Sequence, residues 1–287
     1  MSRASQLTLM DIAAEKPSWA LDPRGEHGEV FTRRWVVEFI LDIVGYRADE
    51  DLGASVIVEP SCGHGAFMIP IVERLARSCS HAGRSLGDLD HAIRGFDLLE
   101  HNAEHTRKAV LDKLLELGEP LDVAERLSGQ WVLTDDFLLA DHRGFEADFV
   151  VGNPPYLRLE DVPREVSNAY RRRLPTMRGR ADVFVGFFER GLSLLAPDGR
   201  LAFICADRWM RNVPDPTTVS DKTQEALRSA FRARDRAAAS AAAWPLYGVD
   251  PETRLPTSRT EPRRRPRAGR YVLATRSTTR LEPPAAA

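Results

Sequence analysis

Between residues 32 and 205 the apolar positions follow two alternating rhythms. From Thr32 to Val44, Trp35, Val36, Phe39, Ile40, Ile43 and Val44 recur at helical spacing. That predicts a helix capped by Thr32 and ended by Gly45. Short apolar or β-branched runs follow at Val56–Val58, Ile93–Phe96, Trp131–Leu133, Asp148–Val151 and Leu201–Cys205. Helical patterns lie between them, over Gly65–Arg77, Glu100–Leu117 and Asp182–Leu195, and the polar stretch Ser78–Asp90 reads as a loop. Strands alternating with helices predict an α/β fold with a doubly wound, mainly parallel sheet. Continuous apolar strands suit a sheet covered on both faces.

The rhythm is absent at both ends. Residues 1–27 form a polar lead-in carrying Pro17, Pro23 and Gly25, and the patterned body runs from 28 to 212. Residues 213–287 are rich in Arg, Ala, Pro and Thr, with Ala237–Ala239, Ala241–Ala243 and Arg263–Arg265, and are expected to be largely disordered. One run there, Tyr271-Val272-Leu273, has strand character. The net charge of −2 hides an asymmetry: residues 213–287 hold 14 Lys+Arg against 8 Asp+Glu, and residues 1–212 hold 26 against 34.

Three cysteines, none in a C-x-x-C pair, exclude a disulfide framework and a structural zinc site and point to a cytoplasmic protein. Asp11, Glu15 and Lys16 interrupt the place where a signal peptide needs an apolar run. Glu189 and Arg190 break the most apolar long stretch, so no membrane partner is expected.

Four motifs follow the predicted strands. Glu59-Pro60-Ser61-Cys62-Gly63-His64-Gly65-Ala66-Phe67 lies between a strand and a helix. Its glycines let the backbone approach a ligand, and the helix N-terminus offers N–H groups to an anionic end. The spacing is neither G-x-G-x-x-G nor a P-loop, and a plain glycine-rich turn is the competing reading. Asp97 ends the next strand, where an acid can accept from a ribose diol or cap a helix. Thr134-Asp135-Asp136-Phe137 follows the third strand: a carboxylate and a ring that suit an adenine, or a simple turn.

Asn153-Pro154-Pro155-Tyr156 after the fourth strand is the most telling. Two prolines fix φ and remove two donors, so the loop is stiff. The Asn153 side chain and the Pro154 carbonyl can then accept from one amino group, and Tyr156 offers a flat face. Two accepted N–H bonds pull a ring-conjugated amine toward tetrahedral geometry and free its lone pair to attack, without a strong base.

In this order the motifs resemble the N6-adenine DNA methyltransferases, specifically the gamma-class, TaqI-like methylases of restriction–modification systems. The resemblance covers Gly28 to Asn212, with Phe31-Thr32 ahead of the first motif and Asp182-Val183-Phe184 and Gly199–Ile204 after the last. It implies a Rossmann-like S-adenosyl-L-methionine-dependent catalytic domain over 28–212. The cofactor would lie on Glu59, Pro60, Cys62, Gly63 and Gly65. Thr32 would stand near its methionine end, Asp97 on its ribose, and Asp136 and Phe137 at its adenine. It implies double-stranded DNA as substrate, with an adenine flipped into a pocket where Asn153 and Pro154, held stiff by Pro155, grip its amine and Tyr156 stacks on it. It also implies a separate specificity subunit or cognate restriction endonuclease as partner.

The C-terminus departs from the family. The family continues with a hairpin that completes the sheet and a target-recognition domain, and neither is expected here. A truncated or frameshifted gene is one expectation; a natural basic tail that grips phosphate is the other. Two alternatives to DNA methylation follow: transfer to a protein glutamine amide, since Asn-Pro-Pro-Tyr also occurs in glutamine methyltransferases, and an inactive fragment that binds cofactor or DNA. His101 and His105 read as a solvated helix face, Cys62 as a small packed residue, and Arg171-Arg172-Arg173 as either a phosphate contact or an exposed face.

Overall fold

The computed structural model describes residues 32–177, 181–206, 246–249, 256–257 and 271–275. Its elements are α1 (Arg34–Val44), β1 (Ile57–Glu59), α2 (Met68–Ala82), β2 (Ile93–Asp97), α3 (Glu100–Glu116), α4 (Leu121–Trp131), β3 (Val132–Thr134), β4 (Ala147–Gly152), α5 (Arg164–Arg173), α6 (Val183–Leu194), β5 (Leu195–Ala206), β6 (Leu246–Val249), β7 (Pro256–Thr257) and β8 (Tyr271–Thr275). They form one sheet in the order β3-β2-β1-β4-β5-β8-β6-β7. The first five strands are parallel, and β8 runs antiparallel to both β5 and β6. This is the doubly wound α/β fold that the alternating pattern predicts.

Neighbouring residues of the central strands face opposite sides. Ile57, Val151, Ala202 and Ile204 join a core beneath α1 to α4, whereas Val58, Val150, Leu201, Phe203 and Cys205 join a second core beneath α5 and α6. Two apolar faces explain why the strands read as unbroken apolar runs.

Several expectations need correction. The sheet does not lack a final hairpin: β8 pairs with β5 and β6 through the Tyr271-Val272-Leu273 run, whose β-branched and aromatic content outweighs its Arg-rich surroundings. The expectation of disorder over 213–287 also fails at β6 and β7; the rest of that segment lies outside the described residues, as do residues 1–31. Thr32 does not cap α1; Arg33 is the N-cap and makes no side-chain capping bond. Gly45 does end the helix, with φ at 81°. Residues 78–90 are not all loop, since α2 continues to Ala82. Trp131 ends α4 rather than opening a strand; it is buried, and its indole N–H donates to the Leu89 carbonyl at 3.0 Å.

Among the described residues, no helix is long and apolar enough to cross a membrane.

Candidate active site

The strand order reverses between β1 and β4, and a cavity of about 220 Å³ opens there, at the carboxyl ends of the parallel strands. Gly152 lets the end of β4 approach the end of β1: a Cβ at this position would stand 3.3 Å from Pro60 Cδ. The first and last motifs are thereby brought side by side.

Glu59 leaves β1 at the cavity wall and is only 2% exposed. Its Oε2 is buried and accepts no hydrogen bond. Burial, and then the charge of Asp97, push its carboxyl well above the usual range. An acid in this state is short of a cationic donor. The following loop is held from below. The Cys62 amide donates to the Phe96 carbonyl at 2.8 Å, and the Thr106 hydroxyl donates to the Gly63 carbonyl at 2.6 Å. Gly63 and Gly65 take φ of 49° and 84°, conformations that side chains disfavour. Burial raises the Cys62 thiol far above its ordinary range, in keeping with a packed residue rather than a nucleophile.

Asp97 reaches the cavity from β2, but its carboxylate is also a strut. Oδ2 accepts from the Gly63 amide at 2.8 Å, and Oδ1 accepts from the Leu99 amide at 2.9 Å and from the Asn102 side chain at 3.3 Å. Both readings of this acid, as ligand and as helix-terminus acceptor, are thus present in one side chain. Asp136 stands beyond β3. Its Oδ1 accepts from the Leu138 amide and its Oδ2 from the Tyr170 hydroxyl, both at 2.9 Å. Burial raises its carboxyl, and the Tyr170 bond works against that rise. Phe137 lines the same end and stacks on Phe187 at 5.6 Å.

The Asn153 loop stands beside the Glu59 loop. The Asn153 Nδ2 donates to the Thr32 hydroxyl at 3.3 Å, its Oδ1 accepts from the Tyr156 hydroxyl at 2.7 Å, and the Ser61 hydroxyl donates to its main-chain carbonyl at 3.2 Å. Thr32 and Tyr156 therefore hold the side-chain amide, and Ser61 holds the backbone beside it.

Of the residues singled out in the sequence, Thr32, Glu59, Pro60, Cys62, Gly63, Asp97, Asp136, Phe137, Asn153 and Pro155 line the cavity. Gly65, Pro154 and Tyr156 belong to the same loops without lining it. Sequence reasoning missed Asn102, Tyr170 and Phe187. None lies in a strand-end motif, and only the packing of α3, α5 and α6 reveals them. Cavity chemistry is graded from the unsatisfied acid at Glu59, past Asp97, to Asp136 and the ring of Phe137. This donor set suits an elongated ligand with a cationic group at one end and an amino-bearing ring at the other.

His105 does not stand alone on its helix, since its ring lies 4.7 Å from that of His64. Among the described residues no group of three His, Cys, Asp or Glu side chains could hold a metal ion.

Residues 88–222 match the family described as Eco57I restriction-modification methylase. That stretch of the chain thus resembles an Eco57I-type restriction-modification methylase. It is 47% identical over 191 residues to the Type II methyltransferase M.XhoI of Xanthomonas vasicola, covering 65% of this chain and 35% of that protein. It is 44% identical over 188 residues to the Type II methyltransferase M.PaeR7I of Pseudomonas aeruginosa, covering 64% of this chain and 33% of that protein. The chain thus spans about a third of the length of these curated relatives. The chain shares its fold with the Type I restriction enzyme EcoKI M protein, at a TM-score of 0.53 and 15% identity over 94% of this chain and 47% of that one. The type IIG restriction endonuclease BpuSI has the same fold, at a TM-score of 0.51 and 15% identity over 96% of this chain and 28% of that one. These two structural likenesses show the fold alone.

Proposed function

We propose that this chain transfers a methyl group from S-adenosyl-L-methionine to the N6 amino group of adenine in double-stranded DNA, as the modification component of a restriction–modification or phage-defence system. The observation that carries the reading is that Asn153 and Pro155 of the Asn153-Pro154-Pro155-Tyr156 loop line one cavity together with the buried acid Glu59. Similarity to the two Type II methyltransferases supports DNA as the substrate.

Glu59, Pro60, Cys62, Gly63 and Gly65, with Thr32 nearby, would hold the methionine end of the cofactor. Asp97 would accept from its ribose, and Asp136 and Phe137 would bound its base. When bound, the cofactor supplies an electrophilic methyl on a sulfonium. The chain's own part is to bind and orient. Unpartnered Glu59 Oε2 answers a cationic amino group. Asn153 Oδ1, an amide oxygen with two lone pairs, would accept from the target amine. The Thr32 bond would hold the amide nitrogen while its oxygen meets that amine. Positioning of this kind supplies much of a transfer barrier. The amine loses its proton to solvent once it carries the methyl group. Tyr156 would stack on a flipped base, a contact worth about 1–3 kcal/mol. The exposed Arg172 and Arg173 at the end of α5 suit phosphate contact.

The test is transfer of radiolabelled methyl to mixed-sequence duplex DNA by the full 287-residue chain. Label recovered as N6-methyladenine establishes the function. Label recovered only in protein glutamine replaces it with the amide alternative. Binding of S-adenosyl-L-methionine without transfer to either substrate replaces it with a non-catalytic binder.

A further inference from the structure

Tyr170 belongs to none of the strand-end motifs, yet it meets the cavity from the far side. It lies in α5, is 4% exposed, and its hydroxyl donates to Asp136 Oδ2 at 2.9 Å. The other oxygen of Asp136 accepts from the Leu138 amide at 2.9 Å. Both side chains line the cavity beside Phe137. A carboxyl this deeply buried is drawn toward its neutral form, and burial does raise it. The distinction matters for recognition. An ionised carboxylate only accepts hydrogen bonds, whereas a neutral carboxylic acid also donates. The first suits an amino group on a ring; the second would equally satisfy a ring carbonyl.

We propose that Tyr170 is a specificity-determining positioning residue. By donating to Oδ2 it keeps Asp136 an acceptor only, so that the base end of the cavity takes a 6-aminopurine and rejects a 6-oxopurine. The inference rests on the cofactor reading given above. A hydrogen bond to a charged form favours that form, and here the donor is itself buried and fixed by its helix. Removing it leaves Oδ2 buried with one bond fewer, which shifts Asp136 toward the neutral acid. That acid could donate to the oxygen of hypoxanthine, and the barrier against the wrong base would fall.

The test is calorimetric titration of the full chain with S-adenosylhomocysteine and with its inosine counterpart. The parent should bind the adenosine compound tighter by about tenfold or more, the discrimination expected of one well-placed charged hydrogen bond. Tyr170→Phe should shrink that ratio about fivefold or more by weakening the adenosine compound and sparing or strengthening the other. A merely structural role would weaken both compounds alike and leave the ratio unchanged, and that result overturns the proposal. Asp136→Asn supplies a second route that does not depend on Tyr170→Phe folding. Its amide both donates and accepts, so the ratio should collapse, and adding Tyr170→Phe should change it no further. Retained discrimination in Asp136→Asn also overturns the proposal. If the parent binds neither compound, the cofactor reading itself falls; if it binds the adenosine compound and only the Tyr170→Phe ratio is unmoved, that reading stands and the role of Tyr170 falls alone.

Discussion

The side-chain amide of Asn153 donates to the hydroxyl of Thr32 at 3.3 Å, across a separation of 121 positions in the chain. One amide has two ends, and this bond to Nδ2, with the Tyr156 bond to Oδ1, gives each end its own partner. The residues ahead of α1 therefore take part in aiming the loop after β4. Thr32→Val should lower the single-turnover rate of methyl transfer about tenfold, on the order of one lost neutral hydrogen bond, while Thr32→Ser should keep it. Equal rates in Thr32→Val and the parent would separate Thr32 from the reaction.

Asn153→Ala removes the acceptor itself. Loss of one preorganised polar group at a reacting centre costs about 10²- to 10³-fold in rate, and at least that loss is expected here. S-adenosylhomocysteine should still bind with parental affinity, because Glu59, Asp97 and Asp136 are untouched. Retained transfer would remove Asn153 from the assigned role.

Glu59 makes a prediction about pH. Its carboxyl is raised by burial and by Asp97. An unfolded glutamate ionises near pH 4.3, so above that value the ligand-free fold holds a proton that the unfolded chain has lost. The stabilising contribution is complete below the unfolded pKa and disappears as pH rises through the folded one. Glu59→Gln stays neutral throughout, so its melting temperature without ligand should gain on the parent's as pH rises above the unfolded glutamate value. Affinity for S-adenosyl-L-methionine should move the other way and fall in the variant. Calorimetry of the parent in two buffers of different ionisation enthalpy should show proton release on binding. An absence of release would mean that Glu59 is already ionised or does not meet the cation.

Arg74 tests how firmly α1 is held. It is 7% exposed, and its guanidinium donates to the Glu38 and Asp42 carboxylates and to the carbonyls of Tyr46 and Glu38. Arg74→Ala leaves those acceptors without their donor and should cost about 3 kcal/mol of stability by urea denaturation. A cost below about 1 kcal/mol would show that the exposed Asp42 and half-exposed Glu38 are rehydrated at little expense.

Strand positions were the most legible part of the molecule. β1, β2 and β4 lie within a residue of the apolar runs that announce them, because both faces of each strand are buried and no polar alternation blurs the signal. The motifs were legible for a related reason: a ligand at the carboxyl ends of parallel strands is met by residues just after those strands. α4 was not legible, since Ala124, Leu127 and Trp131 are spaced among polar residues and the terminal Trp beside Val132 imitates a strand. Tyr170 and Phe187 were illegible because they act from helices across the sheet's second face, where no local pattern separates a cavity wall from a core. The pairing of β8 with β5 was hidden by composition, because a five-residue strand carries little weight inside a long Arg-, Ala- and Pro-rich segment.

That last pairing also sets an order of events during synthesis. β8 sits between β5 and β6, although it follows both in the chain. While the polypeptide leaves the ribosome, β5 emerges early with its outer edge bare, and β6 emerges next without the neighbour that ties it to the sheet. At elongation rates of about 5–20 residues per second, this edge stays open for seconds before residues 271–275 arrive to cover it. An unpaired edge flanked by apolar faces is a template for pairing with another nascent chain. The yield of the folded protein should therefore depend on β8, through the time for which β5 is left waiting for it.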